Sequence, residues 1–261
     1  MTGNYFEINP DYKNFTNMVK NIDRVFETSG SYIHRGRNAI KSININGVDV
    51  IVKSFRLPNP FNRFFYSLFN TSKAKRSYDN STYLIKSDIN CPTPIAFVED
   101  RSWMGLRKSY YLSTRIDCDF TMEKVIYNNE CKDRTMILKQ MMDFIIKLHA
   151  KNIYHKDLSP GNILVTKTGP QKYEFFLVDL NRMTFKRGNL RDAMDNIYRL
   201  IHDWWSKYNY NKADLHFFAT IYAEKMRIDQ QVVLNTLKRS ISIHEKRHTL
   251  KTFFNRLRKK R

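Results

Sequence analysis

The sequence predicts an α+β fold with a β-rich first part, residues 1–114, and a mainly helical second part, residues 115–261, within one domain overall. Two observations predict this division. Short runs rich in β-branched and aromatic residues, typical of strands, are concentrated before residue 114. Longer stretches with apolar residues at helical spacing fill most of the second part. Because 42% of the 261 residues are hydrophobic, the chain can bury a sizeable core.

The first part is predicted to form several strands and one main helix. Strands are predicted over residues 32–40, 41–45 and 48–55, and Asn46-Gly47 between the last two is a tight-hairpin signal. A helix follows over about Ser72–Lys86. Two prolines, Pro92 and Pro94, then break the chain before further strands near residues 95–99 and 109–114.

The second part is predicted to be helical except for one loop and one hairpin. A Leu-, Ile- and Met-rich helix over Arg134–Ala150 precedes a loop that Pro160 and Gly161 keep from becoming helical. A short buried strand is predicted over residues 163–165, a turn at residues 168–170, and a returning strand over residues 173–178. Helical sequence resumes near Leu190.

The loop and the hairpin carry the residues that favour a phosphotransferase. Residues 155–162 are His-Lys-Asp-Leu-Ser-Pro-Gly-Asn, and Asp179 ends the apolar returning strand. Phosphoryl transfer needs a carboxylate that orients and deprotonates the attacking hydroxyl, and oxygen ligands for Mg²⁺ on the nucleotide phosphates. Asp157 fits the first role, and Asn162 and Asp179 fit the second. Asp and Asn more often cap helices or close turns, but the ordered combination favours the catalytic interpretation.

A third component precedes the loop. Residues 48–53 are predicted to form a strand that ends in Lys53, similar to the kinase strand whose lysine meets the nucleotide phosphates. Alone, such a lysine is usually a solvated edge residue. The usual partner of the kinase lysine is a helical Glu, and the predicted helix offers Asp79, which is one methylene shorter. Glu99 is the alternative carboxylate, but it falls in a predicted strand.

Charge is the second strong signal. The chain has 45 Lys and Arg against 25 Asp and Glu, a net charge of +20 that favours polyanionic partners such as nucleic acid, anionic lipid or phosphorylated glycans. Residues 56–76 combine cations with aromatic residues, and residues 246–261 hold eight basic residues and no acid. In the latter segment an apolar stripe recurs at helical spacing, which predicts either a helix on a membrane surface or a stripe docked on the protein's own core. Its members are Leu250, Phe253, Phe254 and Leu257.

Composition also sets expectations about the compartment. No signal-peptide pattern or apolar run long enough to span a membrane is present, so a soluble, unexported protein is expected. Cys91, Cys118 and Cys131 lack CxxC spacing and are expected to be reduced thiols. His244 and His248 lie four residues apart without a third ligand nearby, which favours a solvated helix face over a metal site.

Motifs distributed over most of the chain resemble one family. They are Gly36-Arg37-Asn38, Ser72-Lys73-Ala74, Pro92-Thr93-Pro94-Ile95-Ala96, Ser109-Tyr110-Tyr111, the residues 155–164, and Val178-Asp179-Leu180-Asn181. Together they resemble the lipopolysaccharide-core kinases, the bacterial Kdo and heptose kinases of the protein-kinase-like superfamily. The resemblance implies a two-lobed protein-kinase-like fold with a β-rich N-lobe and a mainly helical C-lobe.

The resemblance also implies a reaction. It is the ATP-dependent phosphorylation of a sugar hydroxyl (Kdo or heptose) on the lipopolysaccharide inner core, by a peripheral enzyme at the cytoplasmic face of the inner membrane. By position, Asp157 is the base, Lys53 holds the nucleotide phosphates, and Asn162 and Asp179 bind Mg²⁺. Asp79 would pair with Lys53 where the family pattern usually has Glu.

For the nucleotide, the resemblance implies main-chain contacts to adenine near residues 114–116. The loop that would cover the phosphates, residues 27–36, has no GxGxxG and permits no assignment.

Other acceptors remain as alternatives. A protein kinase is disfavoured because the segment after Asp179 is short and lacks Ala-Pro-Glu, and because Ser159 stands where Ser/Thr kinases of this pattern carry Lys. An aminoglycoside or other cationic metabolite would favour an acidic cleft, which the net charge of +20 does not suggest. A pseudokinase that binds anionic lipid is the non-enzymatic alternative. The basic residues Arg182, Lys186 and Arg187 are candidates to hold an anionic acceptor, or they form a solvated loop.

Overall fold

The structure, a computed structural model, describes residues 3–36, 38–55, 71–103, 105–201 and 212–259, with the backbone alone for 3–4, 212–213, 248 and 251–259. The chain divides into two compact units, residues 1–117 with 176–182, and residues 118–175 with 183–261. The predicted boundary after residue 114 differs from this division at two points. The chain stays tied to the first unit beyond residue 114, because the Arg115 N–H donates to Asp49 O (3.0 Å). The segment 176–182 also counts with the first unit, where Leu177 N–H donates to Asn90 O (3.0 Å).

The first unit is built on a six-stranded antiparallel sheet. In order across the sheet its strands are β1 (Gly3–Ile8), β5 (Pro94–Ser102), β6 (Gly105–Thr114), β4 (Val48–Phe55), β3 (Asn38–Ile45) and β2 (Ser31–His34). The predicted hairpin at Asn46-Gly47 is confirmed, since both residues have positive φ (52° and 83°) between β3 and β4. The predicted strand over residues 32–40 is wrong: β2 ends at His34 and β3 begins at Asn38, with Gly36 between them.

Helices cover both faces of this sheet. Helices α1 (Thr16–Lys20) and α2 (Ile22–Thr28) pack on one face, over a core that includes Val50, Val52 and Leu112. Helix α3 (Lys73–Lys86) covers the other face and confirms the helix predicted over Ser72–Lys86. Ser72 caps it, because its side chain accepts a hydrogen bond from Lys75 N–H (3.0 Å). The core under α3 consists of Phe55, Ala74, Tyr78, Phe97 and Tyr111.

The second unit is mainly helical. Its helices are α4 (Glu123–Ile126), α5 (Arg134–Ala150), α6 (Leu190–Ile201), α7 (Lys212–Met226) and α8 (Gln230–Lys259). Three strands form a small sheet in the order β10 (Lys172–Leu177), β9 (Ile163–Gly169), β7 (Phe120–Thr121). A two-residue pairing joins β8 (Tyr154–His155) to β11 (Met183–Thr184). The helix predicted over Arg134–Ala150 is thus confirmed.

Two expectations from the sequence concern contact with a membrane, namely the absence of a spanning segment and the basic–aromatic segment 56–76. Of the helices that the structure describes, none is both long and apolar enough to cross a membrane. The basic–aromatic segment 56–76 lies mostly outside the described residues, which resume at residue 71.

Candidate active site

The loop His155–Asn162 is anchored through its first residue. His155 is fully buried, and its backbone N–H donates to Asn196 Oδ1 (3.2 Å) while Asn196 Nδ2 donates to His155 O (3.3 Å). The His155 ring in turn accepts a hydrogen bond at Nδ1 from the backbone N–H of Asp157 (3.1 Å). The path of the chain into Asp157 is therefore fixed by a buried ring and a buried amide.

The same loop places the Asn162 side chain beside the main chain of Asp157. Asn162 Nδ2 donates to Asp157 O (2.9 Å), and Ser159 N–H donates to the same oxygen (2.8 Å). Leu158, which follows Asp157, is fully buried, whereas Asp157 itself is partly exposed. Because the nitrogen of the Asn162 amide faces Asp157 O, its Oδ1 is the atom suited to bind a hard cation.

Pro160 and Gly161 account for the local shape of this loop. Ser159 is extended (φ −98°, ψ 157°), as is usual before proline, and Pro160–Asn162 form one turn of 3₁₀ helix that leads into β9. A Cβ at Gly161 would lie 2.9 Å from Glu123 Oε1, the end of an exposed side chain that can move aside, so this contact alone does not require glycine.

In the first unit, Lys53 is paired with Asp179. The Lys53 ammonium contacts Asp179 Oδ1, and the two side chains are 13% and 29% exposed. Lys53 lies on β4 opposite Tyr111 of β6 and Ile40 of β3, on the sheet face that α3 covers. Its position confirms the expectation that a strand presents this lysine, but β4 continues past it to Phe55.

The Asp179 carboxylate is held by its own neighbours. Asp179 has a positive φ of 58°, a conformation that Asp tolerates better than most residues. Asn181 is buried, and its Nδ2 donates to Asp179 Oδ1 (2.5 Å). Leu180 and Asn181 take the places after Asp179 where most kinases have Phe-Gly, so the asparagine supplies a carboxylate contact that glycine lacks.

Helix α3 holds the same segment through main-chain oxygens. Asn80 Nδ2 donates to Leu180 O (2.6 Å), and Arg76 Nε donates to Asn181 O (3.1 Å). The roles of Asn80, Arg76 and Asn181 were not predicted from the sequence. The only available signal was the unusual Asn two residues after Asp179.

The predicted pairing of Asp79 with Lys53 is wrong in this structure. Asp79 is exposed, and its carboxylate pairs with Lys75 one turn earlier (2.9 Å). The cause is the helical phase of α3, whose buried face contains no carboxylate; its members are Ala74, Ser77, Tyr78, Ser81 and Leu84. The alternative, Glu99, is fully buried and bonds Arg101 Nε (2.8 Å). The lysine thus receives its carboxylate from Asp179 rather than from the helix.

The stretch expected to meet adenine is partly engaged in the sheet. The N–H groups of Thr114 and Arg115 donate to Thr93 O (2.9 Å) and Asp49 O (3.0 Å). Main-chain recognition of adenine near residues 114–116 would therefore use Ile116 N–H or carbonyl oxygens.

The metal ligands expected from sequence are one carboxylate and one amide. Among the described residues, no three His, Cys, Asp or Glu side chains are grouped so that they could hold a metal ion. Asp179 and the Oδ1 of Asn162 are nevertheless hard oxygen donors, the chemistry that Mg²⁺ prefers while it keeps several waters and phosphate oxygens. Each of these two side chains, taken by itself, has the donor chemistry for a Mg²⁺ ion that also binds nucleotide phosphates.

Comparison with known proteins decides the family. The model of the lipopolysaccharide kinase (Kdo/WaaP) family matches residues 60–222, which is more than half of the chain. The chain belongs to this family. A search of curated proteins finds no match. Among solved structures, WaaP in complex with acyl carrier protein is similar over 93% of this chain and 97% of that one, with a TM-score of 0.65 and 13% sequence identity.

Membership has consequences for chemistry as well as fold. This lipopolysaccharide kinase is a phosphotransferase that acts on a sugar hydroxyl, and a kinase family implies the use of ATP and usually of a divalent metal. The likeness to WaaP concerns the fold, an antiparallel β-rich N-terminal part followed by a helical C-terminal part. The predicted kinase-like fold is therefore confirmed.

Proposed function

We propose that this kinase uses ATP and Mg²⁺ to phosphorylate a hydroxyl of Kdo or heptose in the lipopolysaccharide inner core, at the cytoplasmic face of the inner membrane. The observation that carries the proposal is the ion pair of Lys53 and Asp179, with Asn181 bound to the same carboxylate. A lysine on a central strand beside a strand-terminal aspartate is the arrangement that kinases use at nucleotide phosphates.

The residues divide the work by their chemistry. Asp157 is the base that takes the proton of the acceptor hydroxyl, since its main chain is fixed by His155 and Asn162. Lys53 binds nucleotide phosphate oxygens, and Asp179 and Asn162 Oδ1 are the protein ligands of Mg²⁺. When bound, Mg²⁺ neutralises charge that develops on the phosphates during transfer.

The charge of the chain supports a lipid-linked core sugar as the acceptor. Kdo carries a carboxylate and core sugars carry phosphates, and a chain of net charge +20 attracts such anions and the anionic leaflet that holds them. Basic residues follow the Asp179 segment at Arg182, Lys186 and Arg187, and all three are exposed. We propose that some of them hold the anionic groups of the acceptor.

Incubation of the purified protein with labelled ATP and defined acceptors tests the proposal. Lipid-linked Kdo, heptosylated core and a generic protein substrate are compared, and mass spectrometry locates the added phosphate. Transfer to one of the two sugars is expected, which also decides between Kdo and heptose. Label on the protein substrate alone would reassign the acceptor, and nucleotide binding without any transfer would indicate a pseudokinase.

The variant Asp157→Asn tests the base. It is expected to abolish transfer while nucleotide binding persists, because the amide cannot accept the proton. Asp143→Asn is the matched control, since Asp143 lies on α5 in an exposed ion pair with Lys225 (2.8 Å). Unchanged turnover in Asp157→Asn would remove Asp157 from the proposed role.

A further inference from the structure

Towards its end, α8 is exposed along the side that faces away from the second unit. Up to Ile241 the helix packs against α6 and α7 through a buried face that comprises Val233, Leu234, Leu237, Ser240 and Ile241. The last ring contact is His244 stacked on Tyr198, with centroids 4.6 Å apart. Beyond it the described side chains of Lys246, Arg247, Thr249 and Leu250 are all exposed, yet the helix continues to Lys259.

The apolar stripe of this end does not continue the buried face. Leu250, Phe253, Phe254 and Leu257 share one side of the helix. At about 100° per residue, the centre of this side lies about 150° around the axis from the centre of the buried face. Leu250, whose side chain is described, is 58% exposed, as expected for a residue on the outer side. At Leu250 the stripe therefore faces solvent instead of the protein's own core.

Cations flank the stripe. Residues 246–261 hold eight Lys and Arg and no acid. On the helix, Arg247, Lys251 and Arg258 fall along one border of the stripe, and Arg256 falls beyond the other border. Lys246 falls on the side of the stripe, one turn before Leu250. A helix of this composition has an apolar side for the acyl boundary and basic borders for lipid headgroups.

We propose that the end of α8, residues 246–259, docks in the plane of an anionic lipid bilayer with the stripe inward. A bilayer fits better than an acidic protein groove, because α8 is anchored in the fold by its first half and presents only its outer side, which suits a flat surface. Charge complementarity with anionic headgroups supplies the attraction. The proposal extends the proposed function, on which the choice of a lipid surface rests, since a lipid-linked acceptor lies in such a bilayer.

Co-sedimentation of the full chain with vesicles tests the docking. Vesicles of phosphatidylglycerol and phosphatidylcholine are compared with phosphatidylcholine alone, at low and high NaCl. The charge variant Lys251→Gln/Arg258→Gln is expected to bind anionic vesicles roughly 30-fold less tightly, since each cation near an anionic leaflet contributes about 1 kcal/mol. Salt should weaken wild-type binding by screening. The stripe variant Phe253→Ser/Phe254→Ser is expected to bind anionic vesicles at least about tenfold less tightly, because burying one Phe contributes about 1.5–3 kcal/mol.

Matched controls separate docking from general charge and hydrophobicity. Lys132→Gln/Lys172→Gln removes the same charge from exposed positions elsewhere in the second unit. Val232→Ser removes an apolar side chain, 50% exposed, from the first turn of the same helix. Both controls should bind vesicles as the wild type does. Equal vesicle binding by tail variants and controls would overturn the proposal, as would binding to soluble polyglutamate through these residues without binding to vesicles.

A second measurement distinguishes failure of the docking from failure of the kinase proposal. Phosphorylation of a water-soluble core sugar should be unchanged in the charge and stripe variants, because the acceptor carries no lipid. If the wild type transfers no phosphate to any sugar but binds vesicles through the tail, the kinase proposal fails and the docking stands. If sugars are phosphorylated but the tail variants bind vesicles normally, the docking fails alone.

Discussion

Asn181 offers the sharpest test of how the Asp179 carboxylate is held. Asn181→Ala removes an amide whose Nδ2 lies 2.5 Å from Asp179 Oδ1 in a buried position. A hydrogen bond to a charged group contributes about 1.5–3 kcal/mol, which corresponds to about 10- to 100-fold in an equilibrium constant. Partners that orient a metal-binding carboxylate have effects of about 10- to 100-fold on metal affinity. The Mg²⁺ concentration for half-maximal activity should therefore rise by about one to two orders of magnitude.

The assay is a Mg²⁺ titration of sugar phosphorylation at saturating ATP and acceptor. The maximal rate should largely recover at high Mg²⁺, because Ala removes an orienting contact and leaves Asp179, the proposed ligand, in place. Asn44→Ala is the control, since Asn44 Nδ2 also donates to an aspartate, Asp49 Oδ1 (2.7 Å), but at an exposed position in the β3–β4 hairpin. A folded Asn181→Ala protein with the Mg²⁺ dependence of the control would refute the reasoning. A lower maximal rate at unchanged Mg²⁺ dependence would show that Asn181 orients Asp179 for a step other than metal binding.

Three further predictions concern single side chains. Asp79→Ala should change turnover little and the free energy of unfolding by under about 0.5 kcal/mol, because the pair of Asp79 with Lys75 is exposed. Steady-state kinetics and urea unfolding measure these two quantities. A large loss of activity would favour the pairing of Asp79 with Lys53 that the sequence predicted. Arg134→Met should lower the free energy of unfolding by about 3–5 kcal/mol in urea titrations, because it leaves the buried Asp214 carboxylate without its arginine. Burial lowers the pKa of His149 from 6.5 to about 4. As pH falls below about 6.5, this histidine is therefore protonated in the unfolded chain but not in the folded one, and the free energy of unfolding decreases until pH reaches about 4. His149→Phe should lack about 2 kcal/mol of the loss seen between pH 8 and pH 5, and equal losses in both proteins would contradict this assignment.

The loop His155–Asn162 could be predicted from sequence because its contacts are local. Asp157 bonds His155 two residues before it, and Asn162 bonds the main chain of Asp157 five residues before it. The order of residues along the loop thus contains most of its geometry. The same holds for the Asn46-Gly47 turn, where two adjacent residues with positive φ set the register of β3 and β4.

The support of Asp179 could not be predicted, because it depends on distant contacts and on helical phase. Asn80 reaches Leu180 across 100 residues of sequence, a distance over which periodicity carries no information. The phase of α3 is concealed because two of its buried residues are serines, and Ser81 satisfies its hydroxyl by bonding Tyr111 OH (2.6 Å). Because no continuous apolar stripe marks the inner face of α3, the sequence did not show whether Asp79 lies on the buried or the exposed side of the helix.

The contacts of α3 with main-chain oxygens have a consequence for environmental robustness. In kinases that use a helical glutamate, the link between helix and lysine is a pair of opposite charges, which salt screens and acid neutralises. Here Asn80 and Arg76 donate hydrogen bonds to the carbonyl oxygens of Leu180 and Asn181. Neither an amide nor a guanidinium changes its protonation at physiological pH. The alignment of α3 with the Asp179 segment should therefore persist through changes of ionic strength and pH that would weaken an ion pair between lysine and a helical glutamate.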